Sequence, residues 1–143
     1  MNQEKTWLLA EKYGGVEGEA FHTDCRRLEA GEPLAYIIGW TPFLDCRIYL
    51  DSKPLIPRPE TEYWTERVIK ALQGVATAAP SPRRVLDLGA GSGAIGVAIA
   101  KALPTALVTF ADIDPAHLPT IECNLSQNLP VNWKVLRQHF VVI

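Results

Sequence analysis

The chain has 143 residues, 48% of them hydrophobic and 21% charged, a globular composition that excludes wholesale disorder and a collagen-like repeat. Its formal net charge is −2 at pH 7, so it lacks the overall basic field that drives non-specific nucleic-acid binding. The length suits one compact domain rather than two full ones.

No stretch approaches the ~20 consecutive apolar residues of a membrane helix. The run from Trp7 to Ala10 is too short for a signal-peptide core. Cys25, Cys46 and Cys123 are odd in number and form no Cys-x-x-Cys pair, which argues against both a disulfide framework and a metal centre. These features indicate a soluble, cytoplasmic protein with free thiols.

Along the chain, Trp7, Leu8 and Leu9 belong to a short helix that Gly14-Gly15 stops, since glycine supplies the left-handed cap. A second helix is predicted from about Glu17 to Ala30, ending at Gly31 with Pro33 beyond. Ala35–Gly39 and Phe43–Leu50 read as two strands around Trp40-Thr41-Pro42. Pro54, Pro57 and Pro59 enforce an extended segment. Glu60 to Gln73 then reads as a helix, with acids in its first turn and a buried stripe of Trp64, Val68 and Leu72. Gly74 to Arg84 is a linker of small residues and prolines.

Beyond it the pattern alternates. Val85–Leu88 is an apolar strand, Ser92–Leu103 a helix of small residues, Ala106–Ala111 a strand and Pro115–Asn128 a helix. Pro119 is expected to loosen the first bonds of that last helix. Trp133–Leu136 opens a third strand. Such βαβ units imply a parallel sheet.

The stretch Asp87-Leu88-Gly89-Ala90-Gly91-Ser92-Gly93-Ala94-Ile95-Gly96 carries the chemistry. Alternate glycines between strand and helix let the backbone turn tightly and approach a ligand. A P-loop requires Lys and Ser/Thr after its last glycine, and Ala94-Ile95 stand there. Gly91-Ser92-Gly93-Ala94-Ile95-Gly96 matches the dinucleotide pattern. That reading would bury Asp87 inside a parallel strand without a partner, at a desolvation cost of several kcal/mol. If the turn begins at Gly89, Asp87 falls at the strand's exposed end and faces a cationic ligand. S-adenosyl-L-methionine (SAM), with an ammonium, a sulfonium and no pyrophosphate, suits that arrangement better than NAD. Asp112 lies 19 positions past Gly93, close to the ~20 expected of a carboxylate on ribose hydroxyls, which fits either nucleotide. Asp114-Pro115 reads as a helix cap.

Ala30-Gly31-Glu32-Pro33-Leu34-Ala35-Tyr36-Ile37-Ile38-Gly39, Leu55-Ile56-Pro57-Arg58-Pro59-Glu60-Thr61-Glu62 and Leu86–Ile95 together resemble the release-factor N(5)-glutamine methyltransferases, the HemK/PrmC group. The resemblance covers roughly residues 26 to 136. It implies the N-terminal half of a class I SAM-dependent methyltransferase, an α/β Rossmann-like domain with a parallel sheet. The implied division is a short helical region over 1–34, a β-hairpin and Pro-rich connector over 35–59, and a partial SAM-binding domain over 60–143. Gly89, Ala90, Gly91, Ser92 and Gly93 would then wrap the methionine part of SAM, Asp112 would hold the ribose, and Ile56–Glu62 would wall the pocket. The implied substrate is the glutamine amide of the Gly-Gly-Gln loop in peptide chain release factors.

Two departures stand out. The helical region is shorter than the family's N-terminal domain. The family's catalytic Asn-Pro-Pro-Tyr, whose asparagine and proline carbonyl grip the amide N–H groups, occurs nowhere in these residues. No catalytic residue is therefore assigned, and the chain is expected to be a truncated protein, inactive alone. An unpaired edge on the first parallel strand is expected to favour self-association. Two alternatives are an adenine-amino nucleic-acid methyltransferase, which the near-neutral charge disfavours, and a non-catalytic SAM-binding or interaction module. The latter would give a stoichiometric complex rather than weak folding.

Overall fold

A computed structural model describes residues 2–74, 83–130 and 139–142. Three helices open the chain: α1 (Gln3–Tyr13), α2 (Glu19–Glu29) and α3 (Leu34–Ile38). The Asn2 side chain accepts from the Lys5 amide at the start of α1, and left-handed Gly14 closes it. Leu8, Phe21, Cys25 and Ile37 form a small core of their own. Asp24 is buried beside it and accepts from Lys12 Nζ at 2.6 Å, the Tyr13 hydroxyl at 2.6 Å and Arg27 Nη1 at 2.7 Å. Burial alone would push its carboxyl up, but these donors outweigh it and bring it down to about 2.

Ala35–Gly39 is not a strand, because Leu34–Ile38 is helical. Its branched residues read as β, yet one turn of helix ending at Gly39 (φ 96°) turns Ile37 into the small core. The hairpin lies later than expected, with β1 (Trp40–Phe43) antiparallel to β2 (Cys46–Tyr49) and Leu44-Asp45 at the turn. Trp40-Thr41-Pro42 is therefore strand rather than turn. Pro42 opposes Arg47, whose own N–H and C=O point away from β1, so the missing proline donor forfeits no ladder bond.

The proline segment runs without regular structure into α4 (Pro59–Gly74). The buried positions of α4 are Thr65 and Ile69, with Leu72 packed on the core, and Trp64 stays 45% exposed. The buried stripe is thus shifted by one residue from Trp64 and Val68, while Leu72 keeps its expected place. Glu62 fixes the phase by accepting the Leu44 amide at 2.6 Å.

The second half is β3 (Arg84–Leu88), α5 (Ala94–Ala102), β4 (Leu107–Asp112), α6 (His117–Asn128) and β5 (His139–Val142). The strands pair in parallel in the order β3-β4-β5, as alternating strands and helices predict. The expected third strand at Trp133–Leu136 lies outside the described residues. Pro119 falls in the first turn of α6, where an N–H has no intrahelical acceptor to lose. Both crossovers step the same way, so α5 and α6 cover one face of the sheet. There Val97, Val108, Phe110, Ile121 and Leu125 pack against Phe43 and Ile48 of the hairpin. The opposite face carries Leu86 and Leu88, 60% and 65% exposed. Among the described residues β3 pairs only with β4. No described helix is long and apolar enough to cross a membrane.

What seats the hairpin is a row of side chains on α6. The Asn124 carboxamide accepts the Tyr49 N–H at 2.7 Å and donates to the Tyr49 carbonyl at 3.0 Å. Asn128 repeats the pattern on Arg47, at 3.0 and 2.9 Å. Thr120 accepts the Ser52 amide at 3.2 Å. Helix side chains thus take the place of a third strand along β2. Asn124 is fully buried and also donates to the Ser92 carbonyl at 2.8 Å. Asn124→Ala strands these buried partners, and we expect it to destabilise the fold by roughly 2–4 kcal/mol. Asn128→Ala, at a more exposed position, should cost less than half as much; urea unfolding of the two variants measures the difference.

Candidate functional site

The site forms where β3 gives way to α5. Gly89, Gly91 and Gly93 have φ of 70°, 56° and 76°, left-handed values that side chains disfavour. The turn they make is closed by its own hydrogen bonds. The Gly89 and Ala90 amides donate to the Ala111 carbonyl at 2.8 and 3.0 Å, and the Gly93 amide to the Ala90 carbonyl at 2.7 Å. The Gly91 amide donates to Asp112 Oδ2 at 2.7 Å, and the Gly96 amide to Asp87 Oδ2 at 2.9 Å. Gly96 is glycine for a packing reason, since a Cβ there would lie 2.3 Å from the Phe110 ring and 2.9 Å from Asp87.

The five turn residues and Asp112 come together as one unit, joined by the Gly91–Asp112 bond. Gly89, Ala90, Gly91 and Ser92 line a cavity of about 400 Å³. Gly93 sits behind them, against Ile121. The opposite wall is Leu55, Ile56, Pro57, Arg58 and Thr61, and Ala94 and Ile95 complete the lining. The expected wall of Ile56–Glu62 therefore contributes Ile56, Pro57, Arg58 and Thr61. Leu55, 75% exposed, was not anticipated, because its signal is only its place in the proline run.

Asp112 is buried at 6% exposure and accepts the Asp114 amide at 2.9 Å through its other oxygen. Burial pushes its carboxyl up, but the amides of Asp114 and Gly91 and the nearby His117 outweigh that and hold it below the usual carboxylate range. His117, which the sequence did not single out, shares a 2.8 Å hydrogen bond with the Ser52 hydroxyl. Asp87 departs from expectation. It does not lie exposed at the strand end facing a ligand but is buried at 7% exposure beneath the turn. The Gly96 amide is the partner that the sequence reading did not supply. Burial, reinforced by the charge of Asp112, pushes the Asp87 carboxyl up to about 6 against that hydrogen bond. Among the described residues no group of three or more His, Cys, Asp or Glu could hold a metal ion.

A parallel βαβ unit with a glycine turn, an acid beneath it and an acid at the next strand end is the frame of a nucleotide-binding α/β domain. Residues 60–140 match a methyltransferase family model described as lysine methyltransferase. A release factor glutamine methyltransferase of Bordetella pertussis is 42% identical over 127 residues, 87% of this chain and 45% of that protein. The corresponding protein of Rhodopirellula baltica is 41% identical over 81% of this chain and 38% of its own length. A precorrin-6y C5,15-methyltransferase structure from Geobacter metallireducens GS-15 aligns with a TM-score of 0.42 at 19% identity, over 66% of this chain and 45% of that one. The chain belongs to the methyltransferase family that this model describes, and the relatives it resembles are named release factor glutamine methyltransferases. It spans less than half the length of these two relatives. A match over 87% of the chain necessarily runs through the hairpin and proline segment, both outside residues 60–140.

The buried Asp87 has a consequence for stability. Its carboxyl is raised from 3.8 to about 6 on folding, so the folded protein binds a proton that the unfolded chain gives up. The corresponding stability is full below about pH 4 and is lost as pH rises through about 6, on the order of 2–3 kcal/mol. Asp24, lowered from 3.8 to about 2, acts with the opposite sign and only below pH 4. Asp87→Asn should flatten the pH 4–6 fall of the urea midpoint; an unchanged slope would contradict the assignment.

Proposed function

We propose that this chain is the donor-binding part of a SAM-dependent methyltransferase acting on the glutamine amide of the Gly-Gly-Gln loop in peptide chain release factors, in the cytoplasm. The observation that carries the donor assignment is the internal use of the glycine turn's amides. A pyrophosphate binds by capturing such N–H groups at a helix start. Here those of Gly89, Ala90, Gly91, Gly93 and Gly96 already have acceptors within the fold. Most of the turn's amides are thus spent within the fold and the turn serves mainly as a close-approach surface, which favours SAM over a dinucleotide.

The other parts fit the same donor. Asp112 takes the Gly91 amide on Oδ2 and the Asp114 amide on Oδ1, with that of Ile113 also close, and with about four acceptor sites in all it can still take a ribose hydroxyl. Gly89, Ala90, Gly91 and Ser92 present their surface to the methionyl chain, with Gly93 shaping the turn behind them. Leu55, Ile56 and Pro57 keep water from the facing wall. When bound, SAM supplies a methyl group on a cationic sulfonium. The contribution of this chain is to hold and orient it, and positioning accounts for much of the rate of such transfers.

The release-factor target rests on the relatives, whose likeness extends through the hairpin and proline connector. Donor binding is the part of that reaction that the residues here account for. Nucleic-acid contact has no part in the reading. Self-association does, through the outer edge of β3 beside exposed Leu86 and Leu88.

Calorimetric titration with SAM tests the donor assignment. The wild-type chain should bind SAM, and Asp112→Asn, which can keep the Gly91 bond, should weaken binding about tenfold or more. A folded wild-type chain that binds NAD but not SAM would overturn the proposal.

A further inference from the structure

SAM carries an α-carboxylate on its methionyl group, a charge that any site for it has to balance. Four of the glycine turn's five amides, those of Gly89, Ala90, Gly91 and Gly93, are already satisfied, as is that of Gly96 in α5. Two acids flank the turn, Asp112 held below the usual range and Asp87 beneath. An incoming carboxylate on that side lies near these two acids, and a cation opposite would offset them. Of the residues lining the cavity, Arg58 alone is charged.

The placement of Arg58 is fixed before any ligand arrives. Pro57 and Pro59 bracket it, and each restricts the backbone on its own side. Its carbonyl accepts from the Thr61 and Glu62 amides at 3.0 and 3.1 Å, anchoring it at the start of α4. Its side chain is exposed and forms no ion pair with any described residue. The guanidinium fork matches a carboxylate bidentately, which an ammonium cannot do. We propose that Arg58 recognises the α-carboxylate of the methyl donor, making it the residue that distinguishes an amino-acid-bearing adenosyl ligand from one without the carboxylate. This rests on the donor reading above.

The test uses the whole chain with two ligands, SAM and decarboxylated S-adenosylmethionine, which keeps the amine, sulfonium, ribose and adenine. Wild type should bind SAM about tenfold or more tightly than the decarboxylated compound. Arg58→Ala should weaken SAM binding by that same factor, leave the decarboxylated compound unaffected and so abolish the preference. Arg58→Lys should restore part of it. Circular dichroism and thermal melting check that the variants fold. A preference that survives in Arg58→Ala, or an equal loss for both ligands, overturns the assignment of Arg58 while leaving the donor reading intact. Failure of the folded wild type to bind either ligand overturns the donor reading, and this assignment with it.

Discussion

The carboxamide of Asn124 ties together three parts of the molecule: α6, the hairpin and the glycine turn. One side chain meets the edge of β2 through both Tyr49 backbone groups and reaches the glycine turn through the Ser92 carbonyl. Its burial is complete, so each bond forms where water cannot compete, and an unmade bond would leave a costly orphan. The hairpin, the turn and α6 are therefore positioned relative to one another by hydrogen-bond geometry as well as by packing. The proline connector leaves the hairpin at Leu50, so the cavity wall facing the turn inherits its position from this contact.

The two acids of the site show how burial and hydrogen bonding divide similar groups. Asp87 and Asp112 are about equally inaccessible, at 7% and 6% exposure. Asp112 has amide donors on both oxygens and His117 near, and stays ionised. The Asp87 carboxyl has the Gly96 amide and a neighbouring negative charge, and its proton is held more tightly. Asp112 thus stays an ionised acceptor at the strand end, while Asp87 braces the turn from below. Gly96, which admits both the Phe110 ring and the Asp87 carboxylate, makes that brace possible.

Local signals explain which parts of this arrangement were readable from the chain. The glycine turn, the parallel βαβ order and Asp112 follow from periodicity, spacing and glycine's freedom, all of which act over short stretches. Ala35–Gly39 was misread as a strand because branched residues favour strands, whereas the helix there is decided by the small core that Ile37 forms with Leu8 and Phe21. The phase of α4 depends on a bond from Glu62 to the hairpin turn, 18 positions away. The burial of Asp87 becomes affordable only through an amide nine residues on. Asn124 and Asn128 looked like the polar face of a helix, since nothing local announces an unpaired strand edge 75 or more positions upstream.

The side-chain ladder on α6 also limits the hairpin's dimensions. Neighbouring rungs on a helix, four residues apart, are separated by about 6 Å along its axis. The strand positions they meet, two residues apart, are separated by about 6.7 Å. The two scales drift by roughly 0.7 Å per rung, like a vernier, and a hydrogen bond tolerates only a few tenths of an ångström before it weakens. Two full rungs, Asn124 on Tyr49 and Asn128 on Arg47, therefore come close to what a straight helix can match. Thr120 reaches Ser52 only because the chain has already left the strand and can take up the slack. A longer β2 would outrun its helical partner and bare its edge, so the commensurability of two periodicities holds this hairpin to four-residue strands.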